Sequence, residues 1–252
     1  MIERIRKNDL FCIFWRCFLI QGSWNFKSML GLGFCYSSIP IVKRLYKTKE
    51  ERAIFLKRHL EFFNAHPYFA TWCLGAVAKL EEEAQIKKWD SKKPISIFKE
   101  RLAGPLGSIG DQYFWTGVKP ATAGIGVLLG LLIGWVALPF YLLIYNIPHI
   151  YIRAKGLSQG YKKGFDIVSD ISVRKYQKVF KLLSIVGILI TGLTAAKAAM
   201  WSLSQDFTGL IVFLIAVMIT ILFLFLKRTV FFALFISILI GIIYVFVLNF
   251  SI

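Results

Sequence analysis

The residue best suited to chemistry in this chain is a lone carboxylate. Asp111 lies in a stretch with no other charge between residues 102 and 118. A carboxylate at bilayer depth costs about 2.5–3.5 kcal/mol, so it is expected to be paired or functional. Gln112 adjoins it and Trp115 follows four residues on. An aromatic face beside a carboxylate and an amide suits a sugar, whose C–H faces are apolar while its hydroxyls need hydrogen-bond partners. The bland alternative is a structural hairpin with a self-satisfied aspartate. A second cluster, Asn64-Ala65-His66-Pro67, interrupts an apolar run. Proline at 67 lacks an N–H and disfavours helix at 66, so the Asn64 and His66 side chains and free carbonyls are presented at a break. Broken helices near substrate use such breaks; the alternative is an ordinary helix end. Asn64, His66, Asp111, Gln112 and Trp115 form the candidate substrate-binding set.

Other groups read as structural. Gly104, Gly107 and Gly110 imply special backbone angles or close approach, which argues against a uniform helix there. The segment has neither dinucleotide-binding nor P-loop spacing. Three histidines lack metal-ligand spacing, and no nucleophilic triad stands out. Asp166 and Asp170, four apart in a basic segment, read as salt-bridged. Cys12, Cys17, Cys35 and Cys73 read as reduced core or lipid-facing residues. No catalytic residue, metal or cofactor is expected.

The elements that hold these groups must suit lipid. Hydrophobic residues make up 57% of the 252 positions and charged ones 18%, outside the range of soluble domains. The +17 net charge then marks cytoplasmic loops and anionic lipids rather than nucleic acid. Spans are predicted at 182–203, 210–226 and 230–248, with a fourth at 121–147 that Pro139 kinks or turns back. The basic segment 149–181 and the Lys227/Arg228 turn are expected in the cytoplasm, leaving the C-terminus outside. In the first half, the runs 29–42, 62–80 and 102–115 are apolar but short. They suit broken or re-entrant hairpins, tolerated where protein or a wet cavity satisfies the backbone. Thr48 with Glu51 forms a capping box, Asn8 or Asp9 is the expected cap of an amphipathic N-terminal helix, and Trp15 and Trp24 suit interfacial anchoring. Gly126, Gly130 and Gly134 fall on one helical face and suggest close helix packing or an oligomer. The expected fold is an all-α integral membrane domain over 1–252. Residues 1–120 form the amphipathic and re-entrant part, and 121–252 are mainly spanning.

Five blocks in order carry a resemblance: QGSWNF at 21–26, LGLGFCY at 30–36, RHLEFFNAHP at 58–67, GPLGSIGDQYFW at 104–115 with Pro120, and GYKKGFD at 160–166. Together they resemble the enzyme IID component of the mannose/fructose/sorbose family of phosphotransferase systems. The resemblance implies a subunit of the bacterial inner membrane that forms, with an enzyme IIC partner, the pathway for a hexose. Cytoplasmic IIA and IIB proteins relay phosphate, so no phosphorylated residue is expected here. It also implies assemblies of IIC–IID pairs, with basic loops meeting IIB and the anionic leaflet. Two readings from other classes compete: a non-transporting assembly scaffold, and a membrane lipid-modifying enzyme using Asp111 or Asp166/Asp170 with a metal.

Overall fold

The computed structural model describes residues 3–205 and scattered positions from 211 to 243. Apart from two isolated bridge pairs, the regular structure among the described residues is helical. The chain divides into two compact units, Met1–Ile188 and Leu189–Ile252; the contacts below lie within the first.

Helix α1 (Lys7–Arg16) is amphipathic. Its cap is Arg6, not Asn8 or Asp9; Asp9 stands three residues inside and its carboxylate accepts the Arg6 N–H at 2.8 Å. Ile13, Cys17 and Ile20 point into the core, while Phe11, Trp15 and Leu19 are exposed on the opposite face. Helix α2 (Gly31–Leu45) is largely buried. Helix α3 (Lys49–Leu60) starts at the predicted capping box: Thr48 Oγ1 accepts the Glu51 N–H at 3.2 Å, and Glu51 reaches back to the Thr48 N–H. Two orphan donors of the first turn are thereby satisfied.

Helix α4 (Ala70–Ile86) packs along α7 (Ala137–Lys163), and glycines set the contact. A Cβ at Gly75 would lie 2.2 Å from the Leu157 carbonyl oxygen, and one at Gly160 would lie 2.3 Å from that of Trp72. Only bare backbone permits so close a crossing, the small-residue packing that membrane helices favour. Of the predicted 126/130/134 stripe, only Gly126 makes such a close approach within the chain, where a Cβ would lie 2.9 Å from the Tyr141 ring. Nothing approaches Gly130, and Gly134 has φ +64° and ends α6.

Helix α5 (Lys93–Gly110) runs without interruption through a π-helical segment (Asp111–Val118) into α6 (Lys119–Ile133). A 3₁₀ turn, Gly134–Val136, joins α6 to α7, which folds back so that Tyr141 lies against Gly126. The predicted span 121–147 is therefore two helices. Its break falls at Gly134 rather than Pro139, because the turn needs a left-handed residue that only glycine adopts freely. Helix α6, at 15 residues, rises about 22 Å, short of a bilayer core. A 3₁₀ segment, Gly164–Asp170, leads to α8 (Val173–Gln205), which contains the predicted span 182–203. The predicted spans 210–226 and 230–248 lie largely outside the described residues. Two helical stretches, Lys93–Asp170 and Val173–Lys197, hold windows apolar and long enough to cross a membrane, and those windows are almost wholly exposed on the protein surface. Asp170 pairs with Lys163 at 2.6 Å and Lys175 at 3.2 Å, as its basic surroundings imply.

A buried polar node ties α3 and α4 to the end of α2 and the start of α5. Glu81 on α4 accepts hydrogen bonds from Arg58 (2.8 Å), His59 (2.9 Å) and the Tyr46 hydroxyl, and Lys92 donates to that hydroxyl at 2.8 Å. Burial alone would raise the Glu81 carboxyl, but His59, Arg58 and Tyr46 outweigh it and hold it down at about 2. Burial pushes the His59 imidazole below its usual value against the pull of Glu81. The neutral ring donates from Nε2, leaving Nδ1 an unpartnered acceptor.

Candidate functional site

The cavity is built from three pieces of chain that helix periodicity alone would not join. The first is residues 61–69, an irregular strap between α3 and α4. Pro67 lacks an N–H and keeps His66 out of helix just ahead of α4, and the strap is tethered to the 25–30 loop by two backbone bonds. Leu30 N–H donates to the Phe63 carbonyl at 2.9 Å, and Phe63 N–H to that of Ser28 at 3.2 Å. The second is that loop itself. The Asn25 carboxamide closes it, accepting the N–H groups of Lys27 (3.0 Å) and Ser28 (2.9 Å), and Met29 takes a positive φ of 53° at its exit. The third is the junction of α5 with the π-helical segment. Gly107 and Gly110 pass against the strap there, and a Cβ at 110 would lie 2.2 Å from the His66 Cβ.

These pieces enclose a cavity of about 370 Å³ lined by Asn64, His66, Asp111 and Trp115 together with Gln21, Trp24 and Ser108. That volume is within the range of small-molecule sites. Four of the five predicted residues thus meet at one place. Gln112 does not line it: one residue advances the side chain roughly 100° around a helix, so it is exposed away from the face shared by Asp111 and Trp115, while its carbonyl accepts the Thr116 hydroxyl at 2.8 Å. The three glycines also differ from expectation. Residues 104–110 are regular α-helix, so close approach rather than unusual dihedral angles accounts for Gly110, while a Cβ at Gly107 would meet the strap at an ordinary 3.8 Å. The departure from uniform helix begins at Asp111, and π-helical insertions recur at functional sites.

His66 is the pivot. It is buried, its ring stacks on Phe114 at 5.3 Å and leans on Trp115 at 5.0 Å. Nδ1 accepts the Tyr68 N–H at 3.2 Å, so the proton sits on Nε2, and that donor is buried with no partner. An unsatisfied buried donor costs about 1–3 kcal/mol. Asp111 likewise has no hydrogen bond or ion pair among the described residues. Lys119 Nζ lies over the Trp115 ring, 4.8 Å from its centroid. Behind the strap, Arg153 on α7 is buried between the rings of Phe18 (4.8 Å) and Tyr68 (4.7 Å) and donates to the Cys17 carbonyl at 2.6 Å. Sequence reasoning missed Gln21 and Trp24 as lining residues. Their signal was present in the 21–26 block, but only the loop's fold onto residue 63 brings it here.

Long exposed apolar helices beside a polar cavity are the architecture of a membrane protein. The chain belongs to the IID component family of the mannose/fructose/sorbose phosphotransferase systems, whose family model matches residues 4–250. It is a membrane subunit of a sugar permease of that type. The mannose-specific EIID component of Escherichia coli K12 is 35% identical over 77% of this chain and 69% of its own. The fructose permease IID component of Bacillus subtilis is 35% identical over 77% and 71%, and the sorbose-specific EIID component of Klebsiella pneumoniae is equally identical over 77% and 71%. A cryo-EM structure of the mannose transporter ManYZ with microcin E492 superposes with TM-score 0.62 at 34% identity, over 77% of this chain and 71% of that one. A second membrane-protein structure reaches TM-score 0.70 at the same identity and coverage.

Proposed function

We propose that the chain forms, with an enzyme IIC subunit, the translocation pathway for a hexose such as mannose, fructose or sorbose, which a IIB protein phosphorylates on entry. The observation that carries the site is the unpartnered Nε2–H of buried His66 in a cavity shared with an unpaired Asp111. A sugar offers what both lack. A hydroxyl oxygen can accept from His66 while other hydroxyls donate to Asp111 and to the Asn64 carbonyl, and the Trp115 indole lies under a C–H face. Gln21 and Ser108 extend the polar lining. In this reading the chain binds and moves sugar, and phosphoryl transfer belongs to IIB.

In this reading the whole chain acts as one domain of the bacterial inner membrane. The first-half breaks and the α6–α7 reversal behave as re-entrant elements, supported by the turn at Gly134 that sends α7 back along α6. Basic residues 149–181 face the cytoplasm, where they meet IIB and anionic lipid, and the C-terminus faces outward; IIC–IID pairs assemble further. The strap and the α5/π junction travel as a unit against a fixed scaffold, carrying sugar toward IIB. The test is phosphoenolpyruvate-dependent uptake by inserted Asp111→Ala and Asn64→Ala variants co-expressed with IIC. Each should lose about tenfold or more at unchanged abundance; wild-type uptake by both would remove this site from the pathway.

A further inference from the structure

We infer that the groove between α5 and the Gly164–Asp170 segment is a binding site for an anionic phospholipid, with one acyl chain along its floor and the phosphodiester at Arg101. The groove is about 480 Å³ and is lined by Pro94, Ile97, Phe98, Leu102 and Pro105 of α5 on one side and Phe165, Val168 and Ile171 on the other. The α5 positions follow helical spacing, which makes one continuous apolar stripe. Its floor is firm: Phe98 and Leu102 are buried, and the Phe98 and Phe165 rings meet edge to face at 5.2 Å. Its rim is open, with Ile97 and Val168 exposed.

Arg101 is the one charged residue of the lining. It is exposed and has no carboxylate or carbonyl partner among the described residues. The neighbouring acid that might have held a cation, Asp170, is already taken by Lys163 and Lys175. Exposed Lys93 precedes the groove on α5, and exposed Lys162 and Arg174 flank its other wall in sequence, against exposed Glu100 and Asp166. An apolar trough ending at an unpaired guanidinium matches a phospholipid end to end. The chain replaces water on the trough, and the planar fork of Arg101 takes two phosphate oxygens. A partner's apolar helix would fill the trough but leave the guanidinium without an anion. A basic rim attracts an anionic headgroup, which selects headgroup charge over acyl content.

The experiment uses the full chain with its IIC partner, purified and delipidated, and counts bound lipid by native mass spectrometry during titration with dioleoyl-phosphatidylglycerol or dioleoyl-phosphatidylcholine. Wild type should retain the glycerol lipid in preference to the choline lipid. Arg101→Ala should weaken that retention about tenfold and Arg101→Lys by less. Val168→Trp, which fills the open rim without touching the core, should weaken both lipids. Lys57→Ala, a remote exposed cation on α3, should change nothing. The proposal fails if Arg101→Ala binds as wild type does, or if Lys57→Ala costs as much, since the effect would then be diffuse surface charge. It also fails if Val168→Trp lowers abundance of the IIC complex without altering lipid retention, because the groove would then seat protein. Uptake plays no part in the readout, so the result stands apart from the sugar site.

Discussion

Gly110 and His66 are packed so closely that a methyl group at position 110 would lie 2.2 Å from the His66 Cβ. The glycine is required by its neighbour rather than by its own dihedral angles, which are helical. Gly110→Ala must push the strap away or bend α5, an overpacking cost of about 1–3 kcal/mol. Thermal unfolding of the detergent-solubilised complex should show a lowered midpoint, with uptake falling too. Gly104→Ala, where a Cβ meets nothing, should hold or raise the midpoint. Equal behaviour of the two would mean the strap yields freely.

The α4–α7 crossing predicts a stronger effect. Gly160→Leu brings a branched side chain onto the Trp72 carbonyl, where even a Cβ would stand at 2.3 Å. Backbone cannot move aside as a side-chain tip does, so the variant should fail to accumulate in membranes. Gly130→Leu, in open space, should accumulate as wild type does. Quantitative immunoblots of membrane fractions decide it.

Glu81 is fully buried and anchors Arg58, His59 and Tyr46. Glu81→Ala leaves a buried guanidinium without its anion, a loss of about 3–5 kcal/mol. Arg58, itself nearly buried, cannot reach water without opening the node. Urea titration of the purified complex should show a midpoint drop larger than for Glu83→Ala, whose carboxylate pairs with Lys79 and Lys87 at a more exposed place.

The same carboxylate sets an acid limit. Its folded value, about 2, lies below the ordinary value of 4.5. The unfolded chain therefore binds the proton first, and the node's contribution is whole above about pH 4.5. It declines as pH falls from there toward 2. Unfolding midpoints for wild type and Glu81→Gln should differ most at neutral pH, and the gap should narrow from about pH 4.5 and close toward pH 2. A constant gap through that window would contradict an ionised Glu81.

Arg153 bridges α7 to the turn after α1 and lies against Tyr68, the residue whose N–H fixes the His66 ring. Replacing it with methionine keeps the bulk but drops the bond to the Cys17 carbonyl. Apparent affinity for sugar should weaken severalfold, and Arg153→Lys should recover part of it. If methionine and arginine transport with the same half-saturation, Tyr68 is held by its other neighbours alone.

Local rules carried much of this structure. The Thr48 box, the Glu83–Lys87 pair and the Pro67 break follow from spacing within a few residues. Polar groups interrupting apolar runs single out Asn64, His66 and Asp111, and these line one cavity with Trp115, a meeting that spacing does not reveal. What stayed hidden depends on partners distant in sequence. Gly75 and Gly160 acquire their purpose only once α4 and α7 cross, whereas in the more regular 126/130/134 stripe Gly126 alone meets a neighbouring helix of the same chain, because the chain reverses at Gly134. Gln112 shares its neighbours' composition but not their face. Gln21 and Trp24 reach the cavity only through backbone bonds between residues 28–30 and 63.

That last arrangement has a consequence for how such chains diversify. The 21–28 loop closes on itself through Asn25, so its outer positions can be exchanged while the helical frame stays intact. On the proposed sugar site, grafting this short stretch between relatives is expected to alter guest preference without repacking the interior.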